Sequence, residues 1–136
     1  MKTAAELYLI EEEEDKYWLG ESNYQPMLDE FGTIALQVDD DDYQGDSRVL
    51  YCDGERWGWL QFGWGSCSGC DALQACESIE EIQTLMDGLY TDIKWFSSTE
   101  EALQFFIDHD WKGDYSWHAS EQQEFVTKVV ALLKEV

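Results

Sequence analysis

The sequence predicts an α+β fold, in which a small antiparallel β-sheet is packed with three to four helices. An Asp-Gly pair lies between two strand-like runs and predicts a β-hairpin over 48–62. Two Ser-x-x-Glu sequences each precede an amphipathic run, which is typical of a helix N-terminus. Helices and strands that follow one another without regular alternation favour an α+β arrangement.

The first 45 residues contain few clear structural signals. The stretch 6–19 is compatible with a helix or with an irregular edge, and 33–38 alternates like a short strand. A turn is expected at 45–47, where Gly, Asp and Ser follow one another. We expect one domain over 1–136, because a chain of this length has no room for a second large core.

The elements after residue 48 are better defined. The hairpin strands are 49–52 and 56–62, and their alternation directs Trp57 and Trp59 to one face. That face is expected to be the core, and the alternative is that one exposed Trp anchors a protein partner. Asp71 is expected to cap a short helix that runs to Cys76. Longer helices are expected after Ser78, after Ser98 and over 120–135, with a strand over 90–96.

Charge is the strongest functional signal. The chain has 30 acidic and 8 basic residues, for a net charge of -22, and the acids are spread over its whole length. An aromatic content of 15% distinguishes it from disordered acidic segments, which are poor in rings. Because nucleic acids and anionic membranes attract Lys and Arg, direct binding to either is not expected. We also expect no leader, no membrane span and a cytoplasmic location.

A CxxC sequence, Cys67 and Cys70, suggests two chemistries. With two further ligands from Cys52, Cys76, His109 or His118 it would form a structural zinc site. At a helix start it would instead suit thiol-disulfide exchange, although the only proline, Pro26, lies upstream and no cis-proline loop can follow. The third interpretation is that the cysteines are small core residues.

Two other motifs are incomplete. The acidic run from Asp40 matches the first half of an EF-hand loop, but Tyr51 occupies the position that requires a bidentate Glu. His109 and His118 lie in a Trp-rich stretch with neighbouring carboxylates, and nothing there forms a nucleophile elbow. We therefore expect no catalytic residues and no required cofactor.

Three segments carry a resemblance: GSCSGCDAL at 65–73, IKWFSSTEEAL at 93–103 and HDWKGDYSWH at 109–118. With them, the chain resembles a family of small uncharacterised acidic bacteriophage-type proteins. The resemblance covers about half of the chain, from Trp64 onward, and implies no activity. It implies a phage origin, and thereby a likeness to DNA-mimic inhibitors that act against host defence.

Together, charge and resemblance predict a non-enzymatic protein that binds a basic, nucleic-acid-binding host protein by DNA mimicry. Carboxylates held in place by a fold can bind the Lys and Arg side chains with which such a partner contacts DNA phosphates. The alternatives are an acidic housekeeping protein, or a zinc or thiol-redox protein that uses Cys67 and Cys70. The expected partner-binding residues are Glu11, Glu12, Glu13, Glu14, Asp15, Asp39, Asp40, Asp41, Asp42, Glu80, Glu81, Glu100 and Glu101.

Overall fold

The structure, a computed structural model, describes residues 1–8, 23–41, 44–65, 71–111 and 119–136. In chain order its elements are α1 (Ala4–Tyr8), α2 (Gln25–Phe31), β1 (Thr33–Asp39), β2 (Gly45–Asp53), β3 (Arg56–Trp64), α3 (Ile79–Asp92), β4 (Lys94–Phe96), α4 (Thr99–Asp108) and α5 (Ala119–Glu135). The strands form one open antiparallel sheet in the order β1-β2-β3-β4. The predicted α+β class is therefore confirmed.

β2 and β3 form the predicted hairpin, and both strands are longer than expected. Because Asp53 pairs with Arg56, the two-residue loop consists of Gly54 and Glu55, one residue later than the Asp53–Gly54 turn that the sequence suggested. Gly54 has a φ of 65°, in the left-handed region where a residue with a Cβ loses about 1–2 kcal/mol. The glycine therefore fixes where the chain reverses.

The sheet is covered on both faces. Val49 and Tyr51 of β2 pack with α1, α2 and α3, in what we call the α1–α3 core. Leu50 points to the other face and packs with α4 and α5, in the α4–α5 core. Because both faces of β2 are covered, its middle is buried at every position rather than at every second one. Trp57 and Trp59 both join the α4–α5 core, as their alternation predicts.

The two predicted capping boxes begin α3 and α4. The Ser78 hydroxyl accepts a hydrogen bond from the Glu81 N–H at 3.2 Å, and the Glu81 carboxylate accepts one from the Glu77 N–H at 2.6 Å. Ser98 and Glu101 repeat this exchange at the start of α4. Each box satisfies backbone donors that the first helical turn leaves open.

Three features differ from expectation. Residues 45–47, expected as a turn, are the first residues of β2 and pair with β3. Asp71 makes the predicted cap contacts, since its carboxylate accepts from the N–H groups of Leu73 and Gln74, but residues 72–75 form a turn and not a helix. Most of 90–96 is also not a strand: α3 continues to Asp92, and only Lys94–Phe96 pairs with β3.

Candidate functional site: an acidic surface

Carboxylates dominate the described surface. The described ranges contain 22 of the 30 acidic residues, of which 17 are exposed and two, Asp40 and Asp71, are buried. Six basic residues lie in the same ranges, and one of them, Arg48, is fully buried. Of the exposed ones, Arg56 pairs with Asp53 and Lys128 pairs with Glu124, each at 2.9 Å. The surface is therefore strongly anionic, and part of its small positive charge is neutralised locally.

The helices α3 and α4 carry acids and no Lys or Arg. They pack on opposite faces of the sheet, α3 in the α1–α3 core and α4 in the α4–α5 core. Their exposed acids are Glu80, Glu81, Asp87 and Asp92 on α3, and Glu100, Glu101 and Asp108 on α4. We call these seven residues the α3/α4 acidic set.

The position of two members opposes the helix dipole. Asp92 and Asp108 are the last residues of α3 and α4, where the dipole is negative and a carboxylate costs about 0.3–1 kcal/mol. The helix α5 also ends in an acid, Glu135, but there Lys134 lies beside it in the last turn. The dipole thus disfavours both acids, although Asp108 also accepts a hydrogen bond from the Gln104 side chain.

Hydrogen bonds hold several of the acids in place. The Gln83 side-chain amide donates to Asp87 at 2.8 Å, and the Gln104 amide donates to Asp108 at 2.6 Å. Glu81 and Glu101 each use one carboxylate oxygen in a capping box. Their carboxylates therefore have a role in folding as well as in the predicted surface. These contacts reduce the number of rotamers that a partner would have to order.

The structure corrects the prediction for Asp40. Its carboxylate is buried and contacts the Arg48 guanidinium at 2.7 Å, so it is not part of an exposed surface. Its second oxygen accepts a hydrogen bond from the Asp46 N–H at 2.7 Å. Gly45 leaves the space for this carboxylate, because a Cβ there would come within 2.5 Å of it.

The remaining predicted residues of this run have different places. Asp39 and Asp41 are exposed, and Asp39 accepts hydrogen bonds from Gln37 at 3.0 and 3.1 Å. Asp42, and with it Glu11, Glu12, Glu13, Glu14 and Asp15, lies outside the described residues. The half EF-hand pattern leads directly into β2, where the hydroxyl of Tyr51 donates to the Leu28 carbonyl at 2.7 Å.

Next to Asp39 lies a polar cleft of about 440 Å³ between α2 and the ends of β1 and β2. Gln25 and Gln37 donate to each other's side-chain oxygens across it, at 3.0 and 2.9 Å. Gln25 also donates to Asp29 at 2.9 Å. The amide groups of the cleft thus bond mainly to one another and to carboxylates.

Asp71 is an organising residue whose full role the sequence does not reveal. Its buried carboxylate accepts hydrogen bonds from the Gly65 N–H and from the Tyr24 hydroxyl, both at 2.9 Å, besides those of the turn that follows it. It therefore ties the end of β3 to α2. Burial raises the pKa of the Tyr24 hydroxyl well above its ordinary value, so Tyr24 remains a donor.

The two cysteines that the structure describes pack on opposite faces of the sheet. Cys67 and Cys70 are outside the described residues, whereas Cys52 packs on the α4–α5 core and Cys76 on the α1–α3 core. Cys52 pairs with Trp57, near the start of β3. Trp64 is the last residue of that strand, seven residues or about 23 Å further on at 3.3 Å per residue. Cys52 therefore does not approach the end of β3 from which the CxxC follows.

Cys76 lies closer than Cys52 to the CxxC in the sequence. It closes the turn after Asp71, and burial raises the pKa of its thiol. Within the described ranges no group of three or more His, Cys, Asp or Glu side chains is arranged to hold a metal ion. The zinc and redox alternatives stay predictions.

His109 lies within aromatic side chains of the α4–α5 core. Its ring stacks on Phe105 at 5.0 Å and contacts Trp111 at 4.4 Å. His118, the other histidine of the Trp-rich stretch, lies outside the described residues. The position of His109 fits a packing role.

No family model, curated protein or solved structure matches this chain. The resemblance to acidic bacteriophage-type proteins therefore stays a prediction. In the part of the chain that the structure describes, no helix is both long and apolar enough to cross a membrane.

Proposed function

We propose that this protein is non-enzymatic and binds a basic, nucleic-acid-binding host protein by presenting carboxylates where DNA would present phosphates. The observation that carries the proposal is the α3/α4 acidic set, which includes no cation and places Asp92 and Asp108 against the helix dipole. A carboxylate at a position that the helix dipole disfavours is consistent with a role in binding a partner. The protein would bind this partner in the cytoplasm. If the chain is of phage origin, this is the cytoplasm of the host cell.

The helical spacing of these acids supports the proposal. Glu80 and Asp87 are seven residues apart, as are Glu101 and Asp108, so each pair lies on one helix face about 10 Å apart along the axis. Phosphates along one DNA strand rise by about 3.4 Å each and also turn around the duplex axis, so a separation of about 10 Å corresponds to phosphates only one to two steps apart. The basic side chains that contact nearby phosphates of one strand could accept these carboxylates instead.

The test uses the double variant Asp92→Asn/Asp108→Asn. It removes two charges from the α3/α4 acidic set and two unfavourable dipole interactions. The control Glu55→Gln/Glu135→Gln removes two exposed charges from the β2–β3 loop and the end of α5. Basic proteins are captured from bacterial lysate at low salt, and one that binds DNA is purified for measurement of its affinity for each variant.

Mimicry predicts opposite effects on stability and on binding. We expect the Asp92→Asn/Asp108→Asn variant to melt at a higher temperature than the wild type and to bind the basic protein at least tenfold more weakly. The control is expected to bind within about threefold of the wild type. Equal weakening by both variants would show that only net charge matters, and the proposal of a fixed phosphate-like surface would then be wrong.

A further inference from the structure

A second depression, of about 520 Å³, lies between β4 and α4 and combines aromatic rings with carboxylates. We call it the β4–α4 pocket. The rings of Phe96 and Phe105 form its apolar part, and Glu101 and Asp108 contribute carboxylates. Such a combination of ring faces and negative charge is suited to a cation.

The chain's own Lys94 lies in this pocket. Its ammonium nitrogen is 5.5 Å from the centre of the Phe96 ring and 5.3 Å from that of Phe105, both within the range of a cation–π interaction. Among the described residues, no carboxylate oxygen comes within the 4.0 Å of an ion pair with this nitrogen. Lys94 is therefore held by the rings and by the general negative field, and a second cation could replace it.

We propose that the β4–α4 pocket binds a lysine side chain of the basic partner, and that Lys94 occupies this pocket in the free protein. This inference rests on the proposed function, because Glu101 and Asp108 of the pocket belong to the α3/α4 acidic set. A partner's ammonium would gain both rings and, with a suitable approach, the carboxylates of Glu101 and Asp108. Lys94 competes with it, because it is covalently attached and has no translational freedom to lose.

The test compares Lys94→Met with Lys128→Met. Both substitutions remove one positive charge and keep an unbranched apolar stem, but Lys128 lies on α5 and pairs with Glu124 at 2.9 Å. The probe is a fluorescein-labelled lysine octapeptide, and its affinity is measured by fluorescence anisotropy at about 0.15 M salt, where charges more than about 8 Å apart are screened. Circular dichroism confirms that each variant is folded.

We expect Lys94→Met to bind the octapeptide about two- to fivefold more tightly than Lys128→Met, the factor that an exposed cation–π contact supplies. Adding Phe105→Leu to Lys94→Met should remove this gain. Equal affinity of the two Met variants, or weaker binding by Lys94→Met, would overturn the inference.

The outcome is distinguishable from failure of DNA mimicry. If DNA mimicry is correct and the proposed role of the pocket is wrong, the octapeptide binds both Met variants equally, while the Asp92→Asn/Asp108→Asn variant still binds its basic partner more weakly. If only mimicry fails, the preference for Lys94→Met remains, and loss of partner binding is the same for that double variant and its control.

Discussion

The buried ion pair between Asp40 and Arg48 offers the sharpest test of how this acidic chain is held together. Both side chains are almost fully buried, with 1% and 0% of their surface exposed. Replacing Asp40 with Asn keeps the size of the side chain but leaves the guanidinium charge without its counterion. Breaking a buried pair in this way costs about 3–5 kcal/mol, a large part of the stability of a small domain.

The other contacts of Arg48 determine where in the range of about 3–5 kcal/mol the cost of Asp40→Asn falls. The Arg48 Nε–H still donates to the Gln122 side-chain oxygen at 2.9 Å, which softens the loss. The Nη2 group of Arg48 and the side-chain nitrogen of Gln122 have no acceptor among the described residues, so neither can compensate. We therefore expect Asp40→Asn to lower the free energy of unfolding by about 3 kcal/mol, the low end for removal of one buried partner.

The assay is urea unfolding of the wild type, Asp40→Asn, Arg48→Met and the double variant. In the double variant no charge is left buried, and the Gln122 oxygen loses its donor at a cost of about 1–3 kcal/mol. We expect the double variant to be more stable than Asp40→Asn alone, with a coupling energy above about 1 kcal/mol. If Asp40→Asn costs less than about 1 kcal/mol and the two substitutions are additive, the pair is not buried as described.

Three further predictions concern the whole fold. Raising NaCl from about 10 to 150 mM shortens the screening length from about 30 to 8 Å and should raise the melting temperature by several degrees, whereas a flat response would contradict self-repulsion of the carboxylates. Burial raises the pKa of Tyr8 to about 12 and also raises the pKa of Tyr51, whereas unfolded tyrosines ionise near pH 10. The contribution of these two tyrosines to the free energy of unfolding should therefore be fully present below pH 10 and be lost as the pH rises above it, which urea midpoints measured across this range would show. A Cβ at Gly58 would come within 2.8 Å of the Trp95 ring, so Gly58→Ala should cost about 1–3 kcal/mol in urea unfolding, and an unchanged midpoint would contradict this packing.

Short sequence patterns were sufficient to predict the features that depend on contacts between residues close together in the chain. The hairpin follows from Gly54 and its flanking strands, and both capping boxes follow from a serine and a glutamate three residues apart. These features depend on backbone geometry over a few residues, and a sequence pattern can therefore identify them. The helix α2 carries a similar signal, Pro26 in its first turn followed by Met27, Leu28 and Phe31, which the sequence interpretation did not use.

Features that depend on distant contacts could not be read in the same way. The burial of Arg48 requires Asp40 from the end of β1 and Gln122 from α5, 74 residues away. In β1 the pairing register shifts between Ile34 and Leu36, so these residues reach opposite cores although simple alternation would place them together. Composition predicted an acidic surface, but only the fold shows that Asp40 does not belong to it.

The most direct test of DNA mimicry is whether this protein and duplex DNA exclude each other from the same basic protein. Labelled duplex is bound to the captured partner, and its fluorescence anisotropy is followed as the wild type or the Asp92→Asn/Asp108→Asn variant is added. Mimicry predicts full displacement by the wild type, steeply weakened by salt, and at least tenfold less effective displacement by the variant. Retention of the labelled DNA on the partner at saturating amounts of the wild type would contradict the account.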